Sequence, residues 1–377
     1  MFKATFKITA IAVAAVVLAA SSVFAAEVST FAGTGIQDEA DNEYARFNMP
    51  MGIATGQDGR LFVADTFNNM IRVIDAEDGV VSLNNPPPTL DPWGLPIGGH
   101  VDRYLENAMF SHPSGFSLGL HGWLFTADTR NNAIRVIIGN RVYTMAGMVA
   151  GFEDGYRFSA RFSSPSAVAV SPDGSIYVAD TGNHAIRRIS MCGNVVTVAG
   201  FSGEHGYENG SADKALFDSP MGLAFSDDGR LFIADTGNNV IRVMYDGYVS
   251  TYAGLRFTTE REGDFGDFRL LPVGALYDGT VDEALFNRPM GLAFYEDILF
   301  VADSGSHAIR AVVDGRVITI AGTGWLGRED GRLDAASFHT PKGLYVYGEL
   351  LLVADMGNSL IRSISLAAAI ERILDAE

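Results

Sequence analysis

Six times along the chain an Asp opens, and an Arg closes, the same short phrase. It reads VADTFNNMIR at Val63, VADTGNHAIR at Val178, IADTGNNVIR at Ile233 and VADSGSHAIR at Val301. The Asp residues are Asp65, Asp128, Asp180, Asp235, Asp303 and Asp355, and the Arg residues are Arg72, Arg135, Arg187, Arg242, Arg310 and Arg362. Each Arg follows its Asp by seven residues, while successive Asp residues are 63, 52, 55, 68 and 52 apart. A fixed core with elastic spacers describes one small unit repeated with loops of different length.

Each unit has four short apolar runs. A Pro leads into the first (PMGIAT, PSGFSL, PSAVAV, PMGLAF, PMGLAF, PKGLYV), and a turn such as SPDGS or SDDGR follows. LFVAD or IYVAD is the second, rich in β-branched and aromatic residues. A Gly/Asn turn leads to AIRVI, and VxTxAG alternates as a fourth strand. One such sheet leaves both faces exposed, and stacking six around an axis buries them. The expected fold is all-β: a six-bladed β-propeller of four-stranded antiparallel blades over residues 28–365. VSTFAG at Val28 is a fourth strand without a blade, and the last unit, 341–365, lacks one. Pairing the two closes the ring and removes an open edge.

The phrase also predicts a contact. With a four-residue turn after Asp65, Val63 lies opposite Arg72 and Asp65 sits diagonally on the same face. The six Asp–Arg pairs are therefore read as structural partners, partly buried on the face toward the next blade. A catalytic group has no reason to recur six times.

The combined pattern PxGLA…DGxLFVADTGNNxIRxI…VxTxAG resembles the NHL repeat family, in six copies over nearly all of 28–365. The resemblance implies a six-bladed propeller. It implies little about activity, since one fold hosts many. NHL-like propellers serve as protein- or RNA-binding platforms, and related six-bladed propellers include lyases and lactonases.

Composition narrows the choice. Residues 1–25 begin with Lys3 and Lys7, continue through an apolar run and end in small residues before Ala25, the form of a secretory signal peptide. An uncleaved anchor helix is the alternative. Removing it leaves 25 basic against 45 acidic residues, a net charge of −20. Such a surface repels phosphate backbones, so no nucleic-acid partner is expected. The single cysteine, Cys192, argues against a disulfide framework. The reading is a secreted or envelope-associated protein, monomeric, with no membrane span after cleavage.

Candidate site residues sit where loops meet the channel. Just after each Pro stand Met51, Ser114, Ser166, Met221, Met290 and Lys342, and just before it Met49, His112, Ser164, Ser219, Arg288 and Thr340. This rim has one His and no carboxylate. A lactonase-like metal site needs several converging oxygens. An amidating lyase needs about three His, and only His112 and His339 lie near. His112, Arg288, Lys342, Met51, Met221 and Met290 are therefore taken as a ligand-binding mouth, with no catalytic residue and no metal assigned. His184 and His307 are read as turn residues with local hydrogen bonds. GTGWLG at Gly322 matches a dinucleotide fingerprint but lacks its βαβ setting.

Long loops lead into blades two and five and carry Trp93, Tyr104, Phe257, Phe265 and Phe268. They are read as two walls of a binding cleft, or else as extra cover. Acidic clusters such as FEDGYRFSARF are read as loop architecture around a short helical A-x-x-A-x-F piece. No cofactor is expected, and weak Ca²⁺ binding by these loops is the exception left open. Residues 366–377 form a helical tail with Leu366, Ile370, Ile373 and Leu374 on one side. The function expected is a scaffold for a protein or small extracellular ligand on the long-loop face. The alternative is a hydrolase or lyase with its site at the channel mouth.

Overall fold

The inner strand of each unit lies against the inner strands of the units on either side, so the six sheets close around a common axis. The computed structural model describes residues 27–37, 41, 45–75, 79–84, 97–201, 203–256, 258–262, 268–272 and 274–376, with the backbone alone for 27, 258–262 and 268–272. The signal-like segment 1–25 and Trp93, Phe257 and Phe265 lie outside the described residues, as does the side chain of Phe268.

The protein is a six-bladed β-propeller. Blade one runs from its inner strand Pro50–Thr55 through Leu61–Asp65 and Met70–Asp75 to its outer strand Gly79–Ser82. Blade six is built from Pro341–Tyr347, Leu350–Asp355 and Leu360–Ser365, and the leading strand Glu27–Ala32 completes it. Val28 pairs with Ile364, Ser29 with Ser363 and Thr30 with Arg362. The ring is thus closed by the strand and the blade that the sequence left incomplete.

Four sheets have a fifth strand that the repeat did not announce. Gly155–Tyr156, Gly210–Ser211, Gly279–Thr280 and Gly331–Arg332 each pair with an outer strand. These dipeptides belong to the long loops. Each loop descends along the outer edge of its own blade, satisfies the otherwise bare strand edge, and returns to the inner strand. The A-x-x-A-x-F piece is correspondingly a turn or a single 3₁₀ turn, as at Leu105–Asn107 and Arg157–Ser159.

Alternation along the second strand assigns each face. Leu61 and Val63 pack with Leu352, Ala354 and Ile361 of blade six, and Phe62 packs with Leu124 and Ile137 of blade two. Asp65 shares the side of Val63, so the Asp–Arg pairs face the preceding blade rather than the next one. The returning loop delivers a Phe into that same interface: Phe47, Phe110, Phe162, Phe217, Phe286 and Phe338 are all buried.

Around each pair the loop is tied down. The Arg Nη1 donates to the Asp at 3.0, 2.6, 2.7, 2.8, 3.0 and 3.1 Å from blade one to blade six, with both side chains wholly buried. The other Asp oxygen accepts a loop N–H, that of Asn48 in blade one and of Asp218 in blade four, at 2.7 Å. The Arg Nη2 donates to a loop side chain: Asp41, Asp102, Asp154, Asn209, Asp278 or Asp330, at 2.6–2.7 Å. The Phe ring lies under the guanidinium, 4.9 Å from it in blade two.

Blades are also clasped side to side. The turn after each Asp is a 3₁₀ turn, Thr66–Asn68 in blade one, ending in a left-handed residue. That residue accepts the N–H of the residue before Pro in the following blade. The acceptors are Asn69, Asn132, His184 Nδ1, Asn239 and His307 Nδ1, at 2.7–3.0 Å. The two histidines thus act across a blade boundary, not locally. At the seam between blades six and one, Ser359 Oγ takes this place at 3.4 Å. A second clasp runs from the turn hydroxyl to the next Pro carbonyl, as from Thr66 to Pro113 and Thr236 to Pro289, both at 2.7 Å. Met356 occupies that turn position in blade six and has no hydroxyl to give.

The C-terminal helix Leu366–Leu374 starts at Ser365, whose Oγ accepts the Ala368 N–H. Leu366, Ala369 and Ile373 bury against Ile318 and Ile320 of the outer strand of blade five. The tail therefore docks on the propeller.

Replacing Arg242 by Leu leaves Asp235 buried without its cation, so it is expected to cost roughly 3–5 kcal/mol. A urea unfolding midpoint well below that of the unaltered protein checks this. An unchanged midpoint would contradict the structural role given to the pair.

Candidate functional site

The axis is narrow because neighbouring inner strands nearly touch there. A Cβ at Gly222 would come within 1.7 Å of the Met290 carbonyl oxygen, and one at Gly291 within 1.8 Å of that of Lys342. Only glycine allows this approach, which explains the Gly two residues after Pro in most units. The residues just after Pro form the ring around this constriction. Lys342 is 7 % exposed, and its Nζ donates to Met51 Sδ at 3.1 Å. Met290 is buried, while Met51 and Met221 are half-buried. On the other side of the ring Ser114 Oγ donates to the Ser166 carbonyl at 2.8 Å and Ser166 Oγ to the Met221 carbonyl at 3.2 Å.

Burial alone pushes the Lys342 ammonium down to about 8. No carboxylate pairs with it among the described residues. Lys342 and Met51 therefore do come together, across the join of blades six and one.

The residues before Pro have a different job. Met49, His112, Ser164, Ser219, Arg288 and Thr340 all have left-handed backbones, with φ between 48° and 53°. Their N–H groups are the ones clasped by the preceding blade. Arg288 is exposed at the rim. The His112 ring packs edge-on against Phe67 at 4.8 Å, and burial, aided by the Arg130 charge, pushes it down to about 4. It is a neutral imidazole above that pH, and its Nδ1 has no hydrogen-bond partner.

Four of the other histidines form two pairs. His184 lies 3.5 Å from Asp218 and its ring is 5.5 Å from that of His205. His307 and His339 are 5.8 Å apart. Among the described residues no three His, Cys, Asp or Glu gather in a way that could hold a metal ion. The acidic loop residues engage the chain itself: Asp154 accepts from Arg187, from the Thr197 N–H and from the Thr197 hydroxyl.

Of the five aromatic residues read as cleft walls, Tyr104 is the one whose side chain the structure describes. Tyr104 is carried down the outer edge of blade two, where it bridges to Arg141 and lies 4.6 Å from its guanidinium. That half of the loop is cover. In the loop before blade five, Thr258–Glu262 and Phe268–Pro272 pair as a separate two-stranded ribbon.

Apolar residues at equivalent blade junctions were not singled out by the sequence reading. Directly after the outer strands, on the turn face, stand Ile36, Met148, Phe201, Leu255, Trp325 and Leu326, all exposed. Trp325 is 79 % exposed and Leu326 66 %. Their signal was available, since each follows a TxAG end that burial no longer constrains.

Comparisons with known proteins agree with this architecture. The NHL repeat family model matches residues 162–189, from the loop Phe of blade three to the end of its third strand. NHL repeat-containing protein 2 of Bos taurus is 28 % identical over 346 residues, covering 81 % of this chain and 45 % of that protein. The chain thus spans about half the length of the curated relatives it matches. An auxiliary nutrient binding protein from Bacteroides thetaiotaomicron superposes with a TM-score of 0.63 at 16 % identity, over 90 % of this chain and 76 % of that one. Virginiamycin B lyase from Staphylococcus aureus superposes with a TM-score of 0.51 at 15 % identity, over 84 % and 95 %. At these identities the solved structures share the fold alone. Six blades are built on one phrase, and the NHL repeat model falls on one of its copies, so this β-propeller carries NHL repeat sequence.

Proposed function

We propose that this propeller is a binding scaffold that takes a protein or small ligand on its turn face. The observation that carries this reading is the set of exposed apolar side chains at five of the six blade junctions: Ile36, Met148, Phe201, Leu255 and the Trp325–Leu326 pair. Each is free of the packing that constrains the motif beside it. Together they put apolar contact area on the turn face of an otherwise acidic protein, of net charge −18. Large exposed aromatic and aliphatic groups gathered on one face mark interaction surfaces. The relative named as an auxiliary nutrient binding protein supports a binding role for such a ring. No cofactor enters this reading. Neither nucleic acid nor a membrane span does, since the surface is acidic and no helix among the described residues is long and apolar enough to cross a membrane. The protein acts as a monomer outside the cytoplasm, after export directed by residues 1–25.

Two measurements test the reading. Replacing Trp325 and Leu326 together by Ala removes exposed groups only, so the melting temperature should stay within a few degrees. Proteins or ligands retained from the extracytoplasmic fraction by the unaltered chain should then be lost, and equal retention by both would refute the surface. Mass analysis of protein from expressing cells should find a chain starting at Ala26. A product that still carries residues 1–25 would refute cleavage.

A further inference from the structure

Lys342 is a buried cation at the channel mouth that has no counter-ion among the described residues. We propose that the axial ring around Lys342 binds the carboxylate group of a small, largely apolar ligand. The reading stands apart from the partner surface at the blade junctions and does not require it.

The surroundings of the ammonium exclude an internal counter-ion. Four strands pack beside its own: the inner strands Pro289–Tyr295 and Pro50–Thr55 of the adjacent blades, the second strand Ile298–Asp303 of blade five, and Leu350–Asp355 of blade six. Their ionisable side chains are Tyr295, Asp303 and Asp355, and its own strand adds Tyr345 and Tyr347. The Asp303 carboxylate already accepts from the Asn287 N–H and from Arg310. The Asp355 carboxylate already accepts from the His339 N–H, Asn358 and Arg362. The Tyr345 hydroxyl is paired with Thr55 at 2.5 Å. Near the rim stand Arg288 and the His307–His339 pair, none of them anionic. The sole hydrogen-bond partner of Nζ is a thioether sulfur, a weak acceptor. A buried ammonium in such company costs free energy until an anion joins it. Its depressed value of about 8 still leaves it mostly charged at neutral pH.

The ring also selects the kind of anion. Ser114 and Ser166 spend their protons on backbone carbonyls, so the ammonium is the single strong donor. One donor suits a carboxylate, whereas phosphate asks for several and is repelled by the acidic surface. Met51, Met221 and Met290 are pliable apolar neighbours that can shape themselves around a hydrocarbon body.

Octanoate is the probe, with octanol and inorganic phosphate as comparisons, and the full chain is titrated by calorimetry at pH 7. Octanoate should bind saturably, octanol roughly tenfold more weakly or worse, and phosphate should not displace it. Lys342→Met should lose octanoate by a similar factor while remaining folded, because it removes an unpaired buried charge. A second arm needs no variant. A lysine lowered in the folded state means that the unfolded chain holds more protons between about 8 and 10.5, so the free protein gains stability as pH rises through that window. Octanoate affinity should fall over the same rise. No saturable binding at pH 7, equal binding by Lys342→Met, displacement by phosphate, or affinity independent of pH from 7 to 10 would each overturn the proposal. None of these results would alter partner retention through Trp325 and Leu326, so the two readings fail separately.

Discussion

The buried Asp–Arg pair is the interaction on which the rest of the ring depends. A propeller blade must present one flat face to each neighbour, yet its long loop has to return from the outer edge to the axis. The Arg of each unit solves this from inside the blade. With one nitrogen it holds the Asp on its own sheet, and with the other it holds a residue of the loop. The Asp in turn takes a loop N–H. The Phe that stacks on the guanidinium fills the interface with the preceding blade. Such a pair adds little net stability by replacing water, but losing one partner strands the other in a dry interface. Its value is therefore positional, and six equal copies give six equal wedges.

Much of this was legible in the sequence. The seven-residue separation of Asp and Arg, with a four-residue turn between, places Val63 opposite Arg72, and that register is found. The orphan VSTFAG and the incomplete last unit implied each other, and Val28 does pair with Ile364. What could not be read was the direction each face looks. Alternation puts Asp65 on the side of Val63, but nothing local says which neighbouring blade that side meets. The short fifth strands were hidden for a related reason. Gly155–Tyr156 carries no strand signature and becomes one only because an outer edge runs beside it.

The functional residues divide along the same line. His112, Ser219 and Arg288 looked like a rim because of their place before Pro, yet what fixes them is the left-handed backbone and the clasped N–H. Lys342 was visible as a basic residue at a position held elsewhere by Met or Ser. Its isolation from carboxylates became visible only once the neighbouring strands were packed around it. The exposed Trp325 and Leu326 escaped notice because the eye follows repeats, and these residues vary from one junction to the next.

The join between blades six and one differs from the other five. There Met356 stands where the other turns have a hydroxyl, and the remaining clasp, from Met49 to Ser359, is long at 3.4 Å. What the side chains withhold at this join, the leading strand supplies through its backbone ladder and through Thr30, which donates to Asp330. The closure of the wheel is accordingly carried at this one join by main-chain pairing, where the other five joins rely on side-chain clasps.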